Sequence, residues 1–411
     1  MDAPHRKLKT PLRSALHRCQ VRFPSPMLGQ IFPEPLKTFS RWARTTLCLP
    51  RGTFVLQDRS TQSKRSGRYR AGAIGALLSV LCMMSAGAAD DRLVGLVTPL
   101  VAQKPFRIGV TLVHLNDDFW KGIAYGIVDE AKRSNVEVVR ISVAGAYGNS
   151  REQFAQLDTL KTLGVDYVAL GAASFSGYDQ PIHQLKAAGV RVIAAGIPVN
   201  SESVQFGVTQ DDQSIGKVLG DAICAKNGDG RIVALPGPAG AEWARLRYVG
   251  FKEAVAQCRG LTVYEGAFRG SAALQEGLAQ TADLLLKHPD ANFVYTPEIS
   301  LGMGAAQAVR QTGRRAQVVS SAMVKEAVPM LVDGRLLAVV SEPGIIMGRL
   351  IVQYAIRDRE GKPLPNMIRP PGSPYPYVLT PPTLITAANA RTFPLDVYEI
   401  PPADMKLDTL R

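Results

Sequence analysis

The sequence predicts an α/β protein of two Rossmann-like lobes, each a parallel sheet covered by helices, with a hinge between them. Three observations predict it. Apolar, β-rich runs alternate with stretches of helical period along the body of the chain. The alternation restarts near residue 203 after four βα repeats. The 411 residues are enough for two domains of ordinary size.

Before these lobes stands a basic leader. Residues 1–89 carry 15 Lys and Arg against three acids, a net of +12, which leaves 33 bases and 32 acids, a net of +1, for the body. The formal charge of +13 therefore belongs to the leader, and no nucleic acid is expected as a partner of the body. KRSGRYR (64–70) precedes the uncharged AGAIGALLSVLCMMSAGA (71–88), which ends in the small-x-small pattern Ala86-Gly87-Ala88. This is the layout of a cleavable signal peptide, with cleavage near Ala88 or Ala89. The strongly apolar part, about 15 residues, is short of the ~20 that span a bilayer. Leu81, before Cys82, is not the small residue that a lipoprotein anchor needs. Residues 1–60 are rich in Arg and Pro without periodicity, and translation is expected to start downstream of Met1.

The elements follow in order. FRIGVTLV (106–113) reads as a strand, DDFWKGIAYGIVDEAKRSN (117–135) as a helix and VEVVRISV (136–143) as a strand. SREQFAQLDTLKTLG (150–164) is a helix stopped by glycine. VDYVALGA (165–172), QPIHQLKAAG (180–189) and VRVIAAGIP (190–198) continue as strand, helix and strand. Residues 203–228 pass from an extended stretch into a helix. RIVALPGP (231–238), LTVYEGAF (261–268), ANFVYTP (291–297), AQVVSSA (316–322) and LLAVVSEP (336–343) are the later strands, with helices between them. The helix at 344–361 leads into a Pro-rich segment holding PYVLT (376–380). The body keeps two cysteines, Cys224 and Cys258, each near the end of a predicted helix. In an exported chain they form a natural disulfide pair; two buried thiols are the alternative.

Ligands of parallel sheets bind at the carboxyl ends of strands, so those exits hold the candidate residues. The first strand leads into Asp117-Asp118-Phe119-Trp120, the second into Tyr147, the crossing segment into Asp211-Asp212. RIVALPGP leads to Trp243, and ANFVYTP contains Tyr295 before Glu298. Trp120 and Trp243 are the only tryptophans of the body. Any one of these aromatics could be core packing. Together they suggest a ring-lined cleft suited to a sugar or to a methylated, cationic nitrogen. Asp117 and Asp118 could equally serve the N-terminus of their helix. CxxC, HExxH, GxSxG and Walker patterns are absent, so neither an enzyme nor a cofactor is expected.

The repeated α/β halves, the export signal and the cleft aromatics resemble the type I periplasmic binding proteins over about residues 105–390. VTQDDQSIGKVLG (208–220) is similar to their crossing between lobes, and 288–309 and 330–356 to their second-lobe loop and return segment. This resemblance implies a first lobe of 105–207 with 342–372, a second of 208–341 with 373–390, and a tail of 391–411. HLNDDFWKGIAYG, AGAYGNSREQFAQL, GAASFSGY and LPGPAGAEW more narrowly resemble the TorT-like sensor proteins. That resemblance implies a periplasmic sensor that binds trimethylamine N-oxide and signals to a membrane histidine kinase. A solute-binding subunit of a sugar-type ABC importer, with a permease as partner, is the alternative. Thr296-Pro297 and Ser320-Ser321-Ala322 replace the amide and carboxylate groups expected of a sugar site. The expected ligand set is Trp120, Tyr147, Phe119, Asp117, Trp243, Asp211, Arg247 and Tyr295, with Asp211 and Asp212 standing in the crossing loop where TorT-like chains carry an aromatic.

Overall fold

Strand and helix alternate in the computed structural model as the periodicity requires; it describes Leu93, residues 95–226 and residues 229–405, and the leader lies outside these. The first sheet holds β1 (Arg107–Leu112), β2 (Glu137–Val143), β3 (Tyr167–Leu170), β4 (Arg191–Gly196), β5 (Phe206–Gln210) and β11 (Tyr377–Thr380). Its order is β11-β5-β4-β3-β1-β2, and every pair is parallel. The second holds β6 (Gly230–Ala234), β7 (Leu261–Glu265), β8 (Phe293–Tyr295), β9 (Gln317–Ser321), β10 (Leu336–Ser341) and β12 (Thr383–Ile385). Its order is β12-β10-β9-β8-β6-β7, with β12 antiparallel to β10 and the rest parallel.

Helices α1 (Asp118–Arg133), α2 (Ser150–Thr162), α3 (Asp179–Ala187) and α9 (Gly344–Arg359) accompany the first sheet. Helices α4 (Asp212–Cys224), α5 (Glu242–Val255), α6 (Leu274–Lys287), α7 (Ile299–Gln311) and α8 (Ala327–Val332) accompany the second. Each sheet is buried on both faces, which is why its strands read as continuous apolar runs. In β3, Tyr167 and Ala169 join one apolar core with α1 and α9, while Val168 and Leu170 join another with α2 and α3. The second lobe is divided in the same way.

The chain passes between lobes after β5, β10 and β11. The expected first boundary, 207/208, falls inside β5. Tyr377–Thr380, expected in the second lobe, instead pairs in parallel with Gly207–Gln210 of the first. A four-residue run flanked by prolines carries no local mark of the sheet edge it joins. The expected tail also differs from a free end. Phe393 and Leu395 pack on a core of the second lobe, and Val397 and Tyr398 on a core of the first. The short helix α10 (Leu395–Tyr398) thus straps the hinge side of both lobes.

Three helix pairs cross without room for a Cβ, α6 and α7 at Gly277 and Gly304 among them. A side chain at Gly126 of α1 would collide with the Ile345 carbonyl of α9, and one at Gly216 of α4 with the Arg247 carbonyl of α5. The crossing of α4 and α5 matters for the site, because it brings Arg247 against the start of α4. Cys224, at the end of α4, is disulfide-bonded to Cys258, beyond α5, with Cα atoms 5.9 Å apart.

Candidate ligand-binding cleft

The exits of β1, β5, β8, β9 and β10 surround a cavity of about 330 Å³. The first lobe contributes Asp117, Phe119, Trp120, Tyr147 and Gln210; the second contributes Trp243, Arg247, Glu298, Met303 and Met323. Glu342, from the return crossing, and Glu399, from the tail, line it as well. A hollow of about 580 Å³ adjoins it and shares Tyr147, Ile197 and Trp243.

At the mouth of β1, the Asp117 carboxylate accepts the Trp120 backbone N–H at 2.9 Å and so caps α1. Helix geometry then sends Phe119 and Trp120 in different directions. Trp120 is fully buried, with its ring where a Cβ at Gly171 would lie, and its indole N–H donates to the Tyr147 hydroxyl at 3.3 Å. Phe119 meets it edge-on, ring centres 5.0 Å apart, and covers Gly196 at the end of β4. Tyr147 is 45% exposed and is the most accessible ring of the group.

Across the cleft, Arg247 is 2% exposed. Its Nε donates to Asp212 at 2.9 Å, and its Nη1 donates to the Pro297 carbonyl at 2.8 Å, Ser321 Oγ at 2.7 Å and the Glu342 carboxylate. The guanidinium also lies 4.9 Å from the centre of the Trp243 ring. Through these bonds Arg247 organises the second-lobe wall. Burial raises the Asp212 carboxyl above its usual range, and the Arg247 charge opposes that rise.

The remaining carboxylates outnumber this one cation. Glu298 caps α7 through the backbone N–H of Ser300, and desolvation pushes it up to about 7. Glu399 is 2% exposed, accepts the Glu342 backbone N–H at 2.8 Å, and is pushed by burial up to about 8. On the lining residues, two buried side-chain polar atoms have no protein partner: Gln210 Oε1 and Trp243 Nε1. Ala322, also on the lining, has φ of 66°, a left-handed conformation that costs a non-glycine residue about 1–2 kcal/mol. Among the described residues no group of His, Cys, Asp and Glu is placed to hold a metal ion.

The family model described as a periplasmic binding protein domain matches residues 108–363. The chain belongs to this periplasmic binding protein family. A solved structure of a sugar ABC transport system substrate-binding protein from Bordetella parapertussis 12822 is 54% identical, with a TM-score of 0.75 over 77% of this chain and 100% of that one. The periplasmic protein TorT of Escherichia coli K12 is 27% identical, covering 72% of this chain and 87% of TorT. The ribose import binding protein RbsB of Bacillus subtilis 168 is 26% identical, covering 66% of this chain and 87% of RbsB. The two lobes with their mostly parallel sheets are those of this periplasmic binding protein family.

Of the residues expected at the site, Asp117, Phe119, Trp120, Tyr147, Trp243 and Arg247 line the cavity. Asp211 does not: its carboxylate accepts Ser214 N–H at 3.0 Å and caps α4. Tyr295 does not either. It is fully buried and stacks on Phe251 with ring centres 4.0 Å apart. Strand alternation explains this, since the last apolar residue of β8 points into the sheet's core rather than out of its end. Gln210, Glu298, Glu342 and Glu399 lie outside the expected set. The strand-exit rule that selected the aromatics would also have selected the first three.

Proposed function

We propose that this protein is a non-catalytic periplasmic receptor that closes its lobes on a compact solute carrying a positively charged nitrogen. The observation that carries this reading is the charge of the cleft. Asp117, Glu298, Glu342 and Glu399 line it, while its one lining guanidinium, Arg247, is already paired with Asp212 and Glu342. An anionic solute would meet acidic groups with no free cation to balance them; a cation can draw the raised carboxyls of Glu298 and Glu399 into their ionised forms and pair with them. Trimethylamine N-oxide, the ligand implied by the TorT-like resemblance, is one candidate. Its nitrogen would face carboxylates and its oxide the Trp243 N–H or a neutral Glu399. The closed form would then be read by a membrane sensor kinase.

A second reading is a solute-binding subunit of a sugar-type ABC importer, delivering to a permease. The 54% identity to the Bordetella parapertussis protein favours it. Thermal-shift titration of the purified protein with trimethylamine N-oxide, choline, ethanolamine and a panel of neutral sugars at pH 7.5 separates the two. Stabilisation by the nitrogen compounds alone supports the first reading; stabilisation by a sugar alone overturns it.

A further inference from the structure

Of the cleft's aromatic rings Tyr147, 45% exposed, is the most accessible, and one ring does not make a cage; the two tryptophans are already engaged. Trp120 is fully buried against Gly171 and Phe119, and the Trp243 ring carries the Arg247 guanidinium 4.9 Å from its centre. Neither leaves an open face for the cation–π cage that a fully methylated nitrogen needs. What the cleft offers instead is hydrogen-bond acceptors. Beside the carboxylates stands Gln210, 5% exposed, whose Nε2 donates to Asp212 at 3.2 Å and so leaves Oε1 as the end without a partner. Trp243, 9% exposed, supplies one complementary donor in its unpartnered Nε1. A buried acceptor left unpaired by the bound solute weakens binding, so the solute that fits presents donors to this wall.

We infer that the solute is an unmethylated amine on a hydroxylated frame, an amino alcohol or amino sugar. The ammonium N–H groups meet the carboxylates and Gln210 Oε1, and a hydroxyl oxygen accepts from Trp243 Nε1. This rests on the cationic-solute reading above and narrows it. Choline and ethanolamine differ only in the three N-methyl groups, and tris(hydroxymethyl)aminomethane adds further hydroxyls to a primary ammonium. Calorimetric titration of the unmodified protein at pH 7 with these three, trimethylamine N-oxide and D-glucose tests the inference. Ethanolamine should bind at least tenfold tighter than choline, because each methyl removes a donor, and the tris compound tighter again, because its hydroxyls add donors. In Gln210→Leu, the advantage of ethanolamine over choline should shrink by roughly tenfold. Choline or trimethylamine N-oxide binding as tightly as ethanolamine overturns the inference and leaves the cationic reading standing. D-glucose binding tightest, or no response to any amine, overturns both.

Discussion

Replacing Glu399 with Gln tests how the tail is held in the cleft. Glu399 is buried beside Glu342, and its carboxyl stays neutral up to about pH 8 instead of 4.5. Desolvation is the largest cause, with the Glu342 charge adding to it. A carboxyl whose folded value is raised favours folding while protonated, and that contribution is lost as pH climbs from 4.5 through 8. The interval corresponds to about 5 kcal/mol between its two ends, and water entering an opening cleft would reduce the loss to about 2–3 kcal/mol. Gln keeps the acceptor for the Glu342 N–H and cannot ionise. The variant should therefore match the parent near pH 5 and exceed it by about 2–5 kcal/mol near pH 9, a melting-temperature gain of roughly 5–10 °C for a body of this size. Urea unfolding followed by tryptophan fluorescence, from pH 5 to pH 9, reads it. Parallel pH profiles for the two proteins would refute a buried, neutral Glu399.

Two other perturbations address the frame around the cavity. Arg247→Leu leaves Asp212 and Glu342 facing each other in a buried wall and should cost about 3–5 kcal/mol at pH 8, with less lost at pH 5, where Asp212 is protonated; a loss below 1 kcal/mol by urea unfolding would contradict the assigned role. Reducing the Cys224–Cys258 bridge, which closes a separation of 34 residues, should cost about 3–4 kcal/mol by the same measurement. An unchanged midpoint after verified reduction would show that α4 and α5 hold together without it.

Much of this architecture was legible in the chain. Runs such as FRIGVTLV and VDYVALGA declare strands covered on both faces, and the restart near 203 declares a second lobe. The strand-exit rule located Phe119, Trp120, Tyr147 and Trp243 on the cavity wall. It did not say which ring would be open. Trp120 looked like a cleft wall, yet its ring is sealed by Gly171, a contact that depends on how β1 and β3 pair. Asp211 and Tyr295 show the same limit at single-residue scale, where a helix cap and a core-facing strand residue occupy places that sequence position alone assigns to the ligand. Glu399 carried no local signal at all. It reaches the cleft because the tail folds back over both lobes, and its carbonyl lies 3.0 Å from where a Cβ at Gly122 would sit. That is a contact between residues far apart in the chain, with no periodicity to announce it.

The charge of the cleft is tested most directly with a ligand of permanent charge and its neutral carbon counterpart, choline and 3,3-dimethyl-1-butanol. Calorimetry at pH 6 and pH 8, in buffers of differing ionisation enthalpy, measures affinity and the protons released together. Glu298 and Glu399 hold their protons up to about 7 and about 8 in the unliganded protein, and a cation favours their ionised forms. Choline should therefore bind more tightly at pH 8 than at pH 6, by roughly tenfold or more, and release protons as it binds. The neutral alcohol should bind weakly at both. Equal binding of the two compounds, with no proton release and no dependence on pH, would contradict the claim that this cleft is built for a cation.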